Sequence, residues 1–246
     1  MQKWILGAMI FLLISTAFDG PANAACDQKT VYGALLNRYL FQDTGFVGYD
    51  DPVFQGGVTL SCDSGWLFDV FNSSALSTKG QYGQLDDRDF ADEFDFTVAQ
   101  NAEFGTPLGA FQYQIFASYY VLSDFNQAND DILELRIELA RAFKLPGRLN
   151  NVSIAPFVRV MEFVGFGVYR DQMIIRSGVR TSIVLTDKFS FSSALAISSD
   201  PRTGIDVFRS ETGLSFIVNK ELTVFTEWQT AEGAKSAGLI GFSRSF

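Results

Sequence analysis

The sequence predicts an all-β fold, a transmembrane antiparallel up-and-down β-barrel of about twelve strands, with ten or fourteen also compatible. Three observations predict it: an export signal at the start of the chain, a nearly continuous alternation of apolar and polar residues after it, and a terminal strand that ends in Phe246. Alternation with period two is the pattern of a β-strand, and a barrel whose outer face meets lipid shows it in every strand.

The first residues form an export signal. Lys3 supplies the positive charge before an apolar run, Trp4–Ile14, and Ala22-Asn23-Ala24 is a small-residue cleavage site. An uncleaved helical anchor would need about 20 apolar residues, and this run is much shorter. We therefore predict a signal peptide over residues 1–24 and one outer-membrane barrel domain over residues 25–246.

The composition suits a lipid-exposed barrel and argues against several other classes of protein. The chain has 25 Phe, 8 Tyr and 3 Trp, and it is 47% hydrophobic. Beyond the signal no stretch is long enough for a helical membrane span. The net charge of -9 argues against nucleic-acid binding, which needs clustered Lys and Arg.

The chain contains no histidine, which removes Ser-His-Asp hydrolysis and the usual His-ligated zinc sites. Its two cysteines cannot build a tetrahedral thiolate site, and no glycine-rich phosphate loop is present. We therefore predict a protein that is not an enzyme and that uses no cofactor or metal. A histidine-free enzyme working with carboxylates inside the barrel is the remaining catalytic alternative.

The alternation is clearest in Ile132–Phe143. Leucine and isoleucine share one face of this segment, and Glu134, Arg136 and Glu138 share the other. A helix would scatter these charges around its circumference, so a strand fits better. Similar runs recur, and about twelve strands are expected. They are predicted to begin near Thr30, Val53, Gly65, Glu93, Phe111, Ile132, Val152, Gln172, Lys188, Asp206, Glu221 and Ala237.

The connections between these strands alternate in length. Tight turns are expected at Asp63-Ser64, Thr186-Asp187 and Asn219-Lys220. Longer polar links are expected at residues 43–52, 74–92, 124–130, 199–205 and 231–236. Outer-membrane barrels combine short periplasmic turns with longer outer loops, so the alternation supports a barrel with both termini in the periplasm.

Three features fit this scheme less well. The segments Gly105–Gly109 and Pro146–Asn150 belong to the short-turn side but are longer than expected there. Pro156 falls in the middle of a predicted strand and cannot donate a ladder hydrogen bond, which predicts a bulge or a seam near that strand.

The last strand, Ala237–Phe246, resembles the closing strand of outer-membrane barrels, because it ends in an aromatic residue and carries Ile240 and Phe242 on one face. Such a strand pairs with the first strand and turns its outer face to lipid and lipopolysaccharide. It is also the segment through which the barrel-assembly machinery would receive the chain. Arg244 departs from the pattern, but so close to the chain end its charge can reach the interface. The expected location is the bacterial outer membrane.

The start of the mature chain resembles the short proteobacterial outer-membrane porin family of the TorF type. The resemblance is carried by Arg38-Tyr39-Leu40-Phe41, then Pro52-Val53-Phe54-Gln55-Gly56-Gly57, Gly65-Trp66 and Asn72-Ser73. It covers about the first fifty mature residues, and the Arg-Gly-x-Ser expected after the first aromatic pair is replaced by Gln42-Asp43-Thr44. The resemblance implies a small pore without a known substrate and identifies no catalytic residue.

The two cysteines, Cys26 and Cys62, precede the first upward strand and end the first downward strand. Both therefore lie at the periplasmic end of adjacent strands, in an oxidising compartment, and we predict a disulfide between them. Lipidation of Cys26 is the alternative, although the preceding residues match a bacterial lipobox only loosely.

With the apolar face of each strand outward, a set of charged residues is predicted to face the lumen. The set is Asp69, Asp95, Glu134, Arg136, Glu138, Arg159, Arg176, Arg180, Arg209, Glu211 and Glu227. Paired across strands, they would stabilise a packed interior; facing water, they would set the selectivity of a pore. About twelve strands give a backbone diameter of roughly 24 Å and roughly 10 Å of free width if no loop enters.

From these features we predict a porin-like channel for the passive diffusion of ions or small solutes, with at most a weak preference for cations. The alternative is a closed structural or adhesive barrel with surface-binding loops. Asp86–Asp95, with six carboxylates, is predicted to be a solvated acidic loop, with a divalent-cation site as the alternative. Outward aromatic residues are expected at Trp66, Phe68, Phe94, Phe96, Tyr113, Tyr119, Phe189 and Phe208.

Overall fold

The computed structural model describes residues 25–41, 46–76, 93–106, 109–122, 131–165, 171–233 and 236–246. The predicted signal peptide and residues 86–92 of the acidic segment lie outside the described residues. The prediction of a solvated loop is wrong for the end of that segment, because Glu93 and Asp95 are buried in a strand. Twelve long strands, numbered β1 to β12, dominate the described chain. They are β1 (Gln28–Leu36), β2 (Val53–Ser61), β3 (Trp66–Ala75), β4 (Glu93–Thr106), β5 (Gly109–Leu122), β6 (Ile132–Ala140), β7 (Val152–Gly165), β8 (Gln172–Val184), β9 (Phe189–Asp200), β10 (Ile205–Ile217), β11 (Leu222–Ala231) and β12 (Ala237–Ser245).

Short elements complete the described chain. A hairpin of Tyr39–Phe41 and Phe46–Tyr49 follows β1, and the strand Phe143–Lys144 and the 3-10 helix Gly147–Leu149 lie between β6 and β7. No helix among the described residues has the length and apolar character needed to cross a membrane.

The sheet closes on itself. Each long strand pairs antiparallel with its neighbours in sequence, and β12 pairs with β1 along Thr30–Leu36. The backbone N–H of Phe246 donates to the carbonyl oxygen of Lys29 at 2.9 Å, which extends the closing pair to the chain end. The predicted twelve-stranded antiparallel barrel is therefore confirmed, and every long strand begins within two residues of its predicted start.

The two faces of the barrel differ sharply in composition. Large apolar side chains on the outer face are exposed, among them Leu35 (51%), Leu195 (53%) and Ile240 (59%). The eight aromatic residues predicted to point outward all lie on this face, by the register of their strands. Such a surface is stable against hydrocarbon and unfavourable in water, and closed barrels satisfy their backbone hydrogen bonds within a membrane. The protein is therefore a β-barrel of the bacterial outer membrane.

The connections sort by length with two exceptions. At the end of the barrel that carries both termini, called the termini end, the turns at 62–65, 185–188 and 218–221 are tight, as predicted. The opposite end, called the loop end, carries the longer links 37–52, 76–92 and 123–131. The exceptions are residues 141–151, a long link at the termini end, and residues 201–204, a tight turn at the loop end.

Two of the expected connection lengths are wrong. The link near Gly105–Gly109 is only two residues long, because Thr106 and Gly109 still pair with each other across β4 and β5. The link expected at 199–205 is a tight turn, because the Asp200 carboxylate accepts the N–H of Arg202 at 2.8 Å and Gly204 adopts a positive φ of 71°. The pairs β4–β5 and β9–β10 are therefore longer than the turn-forming residues in the sequence predict.

Of the bulge or seam predicted at Pro156, the structure shows no bulge but a break in the pairing on one side of the strand. The register on both sides of β7 runs through Pro156 without a shift. Its carbonyl accepts the N–H of Arg141 at 3.2 Å, and residues 141–142, opposite it, belong to no strand. Proline has no N–H to donate to a neighbouring strand. At Pro156 this costs no ladder hydrogen bond on the β6 side, because β6 has already ended there, near the termini end.

The Cys26–Cys62 disulfide is present, as predicted. It ties the residues before β1 to the turn between β2 and β3, where the N–H of Asp63 also donates to Ala25 at 3.0 Å. The sulfur atom of Cys26 that a lipid thioether would need is occupied by this bond. Gly65 closes the turn with φ of 86°, and a Cβ there would lie 2.1 Å from the Asn101 carbonyl oxygen, so only glycine fits.

Arg244 adapts the last strand to the interface. It pairs with Glu221 at 3.1 Å, and both side chains are about half exposed. Its guanidinium also lies 4.7 Å from the ring centroid of Phe246. The charge that breaks the terminal pattern is therefore held at the termini end, where a cation costs little.

Candidate functional site: the barrel lumen

The register of the strands places all eleven residues predicted for the lumen on the inner face. They divide into two groups. The acid wall consists of Asp69, Glu93, Asp95 and Glu134 on β3, β4 and β6. The arginine wall consists of Glu138, Arg159, Arg176, Arg180, Arg209 and Glu211 on β6, β7, β8 and β10. Arg136 and Glu227 lie at the borders between the two.

Glu138 is the centre of the arginine wall. Arg159 donates to its Oε2 from Nη2 at 2.6 Å, and Arg180 donates to both of its oxygens at 2.5 and 2.7 Å. The carboxylate is nearly buried, with 11% of its side chain exposed. One acid thus binds two neighbouring arginines through charge-assisted hydrogen bonds, which joins β6, β7 and β8.

A second group on this wall repeats the arrangement. Glu211 Oε1 lies 2.9 Å from Arg176 Nη2 and 2.9 Å from Arg209 Nε. Arg209 also donates to Gln229 at 3.1 Å, and Gln229 donates to Glu227 at 2.6 Å. Every arginine of this wall is therefore matched by a carboxylate, and the network holds β8, β10 and β11 together.

The acid wall is satisfied by hydroxyl groups instead of cations. Tyr32 and Thr59 donate to Asp69 at 2.9 and 2.5 Å. Tyr32 can lean across the lumen face because Gly57 lies beneath it, where a Cβ would come within 2.5 Å of the Tyr32 hydroxyl. These neutral donors stabilise Asp69 without cancelling its charge.

Two more tyrosines act in the same way. Tyr39 donates to Glu93 Oε1 at 2.6 Å, and Tyr120 donates to Glu134. Both carboxylates are fully buried. Arg136 lies 3.6 Å from Glu134 and stacks on the ring of Phe116 at 3.6 Å, so it marks the border of the acid wall.

Asp95 differs from Glu93 and Glu134, which also bury one oxygen without a partner but accept a tyrosine hydroxyl at the other. It is 6% exposed, and its Oδ1 is buried without a hydrogen-bond partner among the described residues. Its neighbours on the inner face are acidic, aromatic or hydroxyl-bearing, with Glu93 and Thr97 two positions away on β4 and Tyr120 opposite it on β5. A carboxylate in this position has a large desolvation cost that nothing in the described protein offsets.

The first loop enters the lumen at the loop end. Tyr39 and Leu40 are 6% and 3% exposed. Tyr39 packs into a buried cluster whose other members come from six strands: Leu36, Val53, Tyr120, Ile132, Met161, Phe163 and Ile174. The free width of roughly 10 Å estimated from strand number therefore does not hold at this end, because that estimate assumed no loop inside.

Below this layer lies a cavity of about 510 Å³. Its lining includes Tyr39 and Leu40 above, Asp69 and Asp95 on one side and Arg209 on the other. Because β4 and β10 are six strands apart in a barrel of twelve, Asp95 and Arg209 face each other across the lumen. A further cavity of about 460 Å³, bordered by Glu103, Glu138 and Arg180, lies nearer the termini end.

Sequence reasoning missed several residues of the lumen. Glu93 and Glu103 have the same parity on β4 as Asp95, so the period-two pattern contained the signal for both. Tyr32 and Tyr120 are polar-tipped residues on inward positions that were overlooked. Tyr39 had a weaker signal, which is an apolar stretch in a connection expected to be polar. The alternation of strand residues does not predict how a loop folds into the lumen.

The fold is shared with known porins. The chain aligns with the KdgM porin in complex with disordered oligogalacturonate at a TM-score of 0.55 and 9% identity, covering 89% of this chain and 99% of that one. It aligns with the NanC porin at a TM-score of 0.54 and 8% identity, covering 89% and 100%. This barrel has a porin fold. At such low identity the likeness concerns the fold alone.

Comparison of the sequence with protein-family models gives no match. Comparison with curated proteins gives no match either. The resemblance of the N-terminal segment to the TorF-type family therefore stays a prediction.

Proposed function

We propose that the protein is a porin-like channel through which ions and small solutes diffuse passively across the outer membrane, without catalysis. The observation that carries this proposal is the polar cavity of about 510 Å³ inside a closed barrel. A barrel evolved only as a scaffold would fill this space with packed side chains, as protein interiors generally do. The carboxylates and arginines around the cavity would then be the pore-lining residues.

In this channel the first loop, residues 37–52, would form the narrowest point. Tyr39 and Leu40 lie over the cavity, and the Tyr39 hydroxyl is fixed by Glu93 at 2.6 Å. Arg38 and Asp50 pair at 3.1 Å at the base of the same loop. A solute entering from outside would have to pass these side chains.

The packed layer around Tyr39 favours a second candidate, a closed structural or adhesive barrel whose outer loops bind surfaces. In that case the cavity would be an internal void without a route to the loop end. Both proposed functions include contact with lipopolysaccharide and recognition of Ala237–Phe246 by the barrel-assembly machinery. Both also include a signal peptide over residues 1–24 and a relationship to TorF-type porins.

Planar-bilayer recording of the refolded protein separates the two candidates. Heat-modifiable gel mobility would first establish that the barrel is folded. The channel proposal expects discrete conductance steps in the wild type and larger steps in Tyr39→Ala, with Tyr39→Phe close to the wild type because its ring remains. Folded protein without steps, in the wild type and in Tyr39→Ala alike, would contradict the channel and leave the closed barrel.

A further inference from the structure

The charged residues around the 510 Å³ cavity, two aspartates and two arginines, are unevenly paired. Its two arginines are already engaged: Arg209 lies 2.9 Å from Glu211, and Arg136 lies 3.6 Å from Glu134. Its two aspartates have no such partner, because Asp69 accepts only from hydroxyl groups and Asp95 forms no ion pair within the described residues. The cavity therefore has two carboxyl groups without an ion-pair partner on the β3–β4 side.

Asp95 is the strongest sign of a missing ligand. Its side chain is more than nine-tenths buried and borders the cavity, and neither of its carboxyl oxygens has a hydrogen-bond partner among the described residues. Buried carboxylates are otherwise paired or hydrogen-bonded in native proteins, since an unsatisfied one is costly. A cation in the cavity would supply the missing partner.

The surroundings favour an organic cation over a metal ion. Within the described ranges, no three carboxylates or other metal-binding side chains are grouped closely enough to hold a metal ion. The cavity instead presents aromatic rings, those of Tyr32, Tyr39, Phe71 and Phe116. Arg136 already stacks on Phe116 at 3.6 Å, so one of these rings holds a nitrogen cation, and the other three are of the type that attracts one.

The hydrogen-bonding capacity of the cavity points the same way. The hydroxyl group of Tyr32 donates to Asp69, so its oxygen offers only lone pairs to the cavity. An ammonium group has three donors and no acceptor, and it matches an acceptor of this kind. The volume also lies within the roughly 300–1,000 Å³ typical of small-molecule sites.

We propose that this cavity is a binding site for small organic ammonium ions, with Asp95 as the residue that binds the ammonium group and Asp69 and the aromatic rings beside it. The proposal deepens the proposed channel function, since the bound cation would be a solute on its way through the lumen. Binding itself requires only that the cavity be reached from one end of the barrel.

The test measures binding separately from conduction. The refolded full-length mature protein in detergent micelles is titrated with 1,4-diaminobutane and, as a neutral match of the same length, 1,4-butanediol, with binding followed by calorimetry at low salt. Saturable binding of the diamine and none of the diol is expected. Asp95→Asn should weaken diamine binding about tenfold or more, because a charge-assisted hydrogen bond is lost.

Glu103→Gln is the matched control, since it removes an exposed carboxylate of the same strand and the same inner face. It should leave diamine affinity within about twofold of the wild type if Asp95 binds the ligand directly. Equal weakening in both variants, binding of the diol, or displacement of the diamine by equimolar KCl would overturn the proposal. A barrel that binds diamine but shows no conductance would refute the channel alone, whereas one that conducts but binds no diamine would refute this site alone.

Discussion

The two walls of the lumen solve the burial of charge in different ways. On the arginine wall, Glu138 and Glu211 each join two arginines at distances between 2.5 and 2.9 Å. On the acid wall, tyrosine and threonine hydroxyls hold Asp69, Glu93 and Glu134, and Asp95 has no hydrogen-bond partner at Oδ1 within the described chain.

This difference separates stability from function. On the arginine wall two carboxylates each bind two arginines, so the network links neighbouring strands and the wall keeps a net positive charge. A buried carboxyl group without a partner costs stability, and such departures from good packing are typical of functional positions. We therefore assign the strength of the barrel to the arginine wall and its interaction with solutes to the acid wall. The following substitutions test that division, from the largest expected effect to the smallest.

Glu138→Gln should destabilise the barrel most. The substitution leaves Arg159 and Arg180 side by side without their shared carboxylate, and loss of one partner of a buried ion pair costs about 3 kcal/mol or more. Unfolding by guanidinium in lipid vesicles, followed by tryptophan fluorescence, would measure the change. Glu103→Gln, which alters an exposed inward carboxylate, should change the free energy of unfolding by less than about 0.5 kcal/mol. Equal effects of the two variants would argue against a structural arginine wall.

Gly57→Ala should disturb the acid wall. The new Cβ would lie 2.5 Å from both the Tyr32 hydroxyl and the carbonyl oxygen of Val70, and the backbone atom cannot move aside easily. Overpacking of this kind costs about 2 kcal/mol, and Tyr32 would also move away from Asp69. The same unfolding assay measures it, and Gly105→Ala is the control, because a Cβ at Gly105 meets nothing within 4 Å. A stable Gly57→Ala variant would show that Tyr32 does not need this space.

Tyr120→Phe removes the hydroxyl group that donates to Glu134 on the acid wall. The ring stays in place, and Glu134 loses the hydroxyl that donates to it, so the barrel should lose about 1.5 kcal/mol of stability. Tyr113→Phe, on the outer face of the same strand, is the control and should cost less. If both variants retain the stability of the wild type, the tyrosine hydroxyls do not stabilise the buried carboxylates.

Asp95→Asn should have the smallest effect and the opposite sign. Removing a buried charge without an ion-pair partner relieves its desolvation cost, so stability should stay the same or rise by about 1 kcal/mol. The contrast with Glu138→Gln is the sharpest test of the two walls by unfolding. Destabilisation of Asp95→Asn by as much as Glu138→Gln would mean that the acid wall is structural too.

The fold was largely predictable because one rule, the period of two, governs every strand of a barrel. It fixed the faces of residues as different as Leu135 and Arg159 and located the start of each long strand. The Cys26–Cys62 bond followed from the same topology, since both cysteines fall at one end of adjacent strands. Length and parity alone do not give turn geometry, so the turn at 201–204 and the pairing of Thr106 with Gly109 were missed.

The sequence predicted which residues face the lumen but not which of them contact each other. Parity assigned Glu138, Arg159 and Arg180 to the lumen, but it cannot say that one glutamate binds both arginines, because that depends on the stagger between strands and on rotamers. Nor does it show that Tyr39 turns inward from the first loop. The uneven charge of the two walls emerges only from those contacts.

The reversal potential across a planar bilayer tests the central claim most directly. With KCl at different concentrations on the two sides and low total salt, the unpaired carboxylates of the acid wall should make the wild type reverse on the cation-selective side. Asp95→Asn should shift the reversal potential toward anions without lowering the stability of the barrel. An anion-selective wild type, or a reversal potential that Asp95→Asn leaves unchanged, would contradict the assignment of the acid wall to solutes.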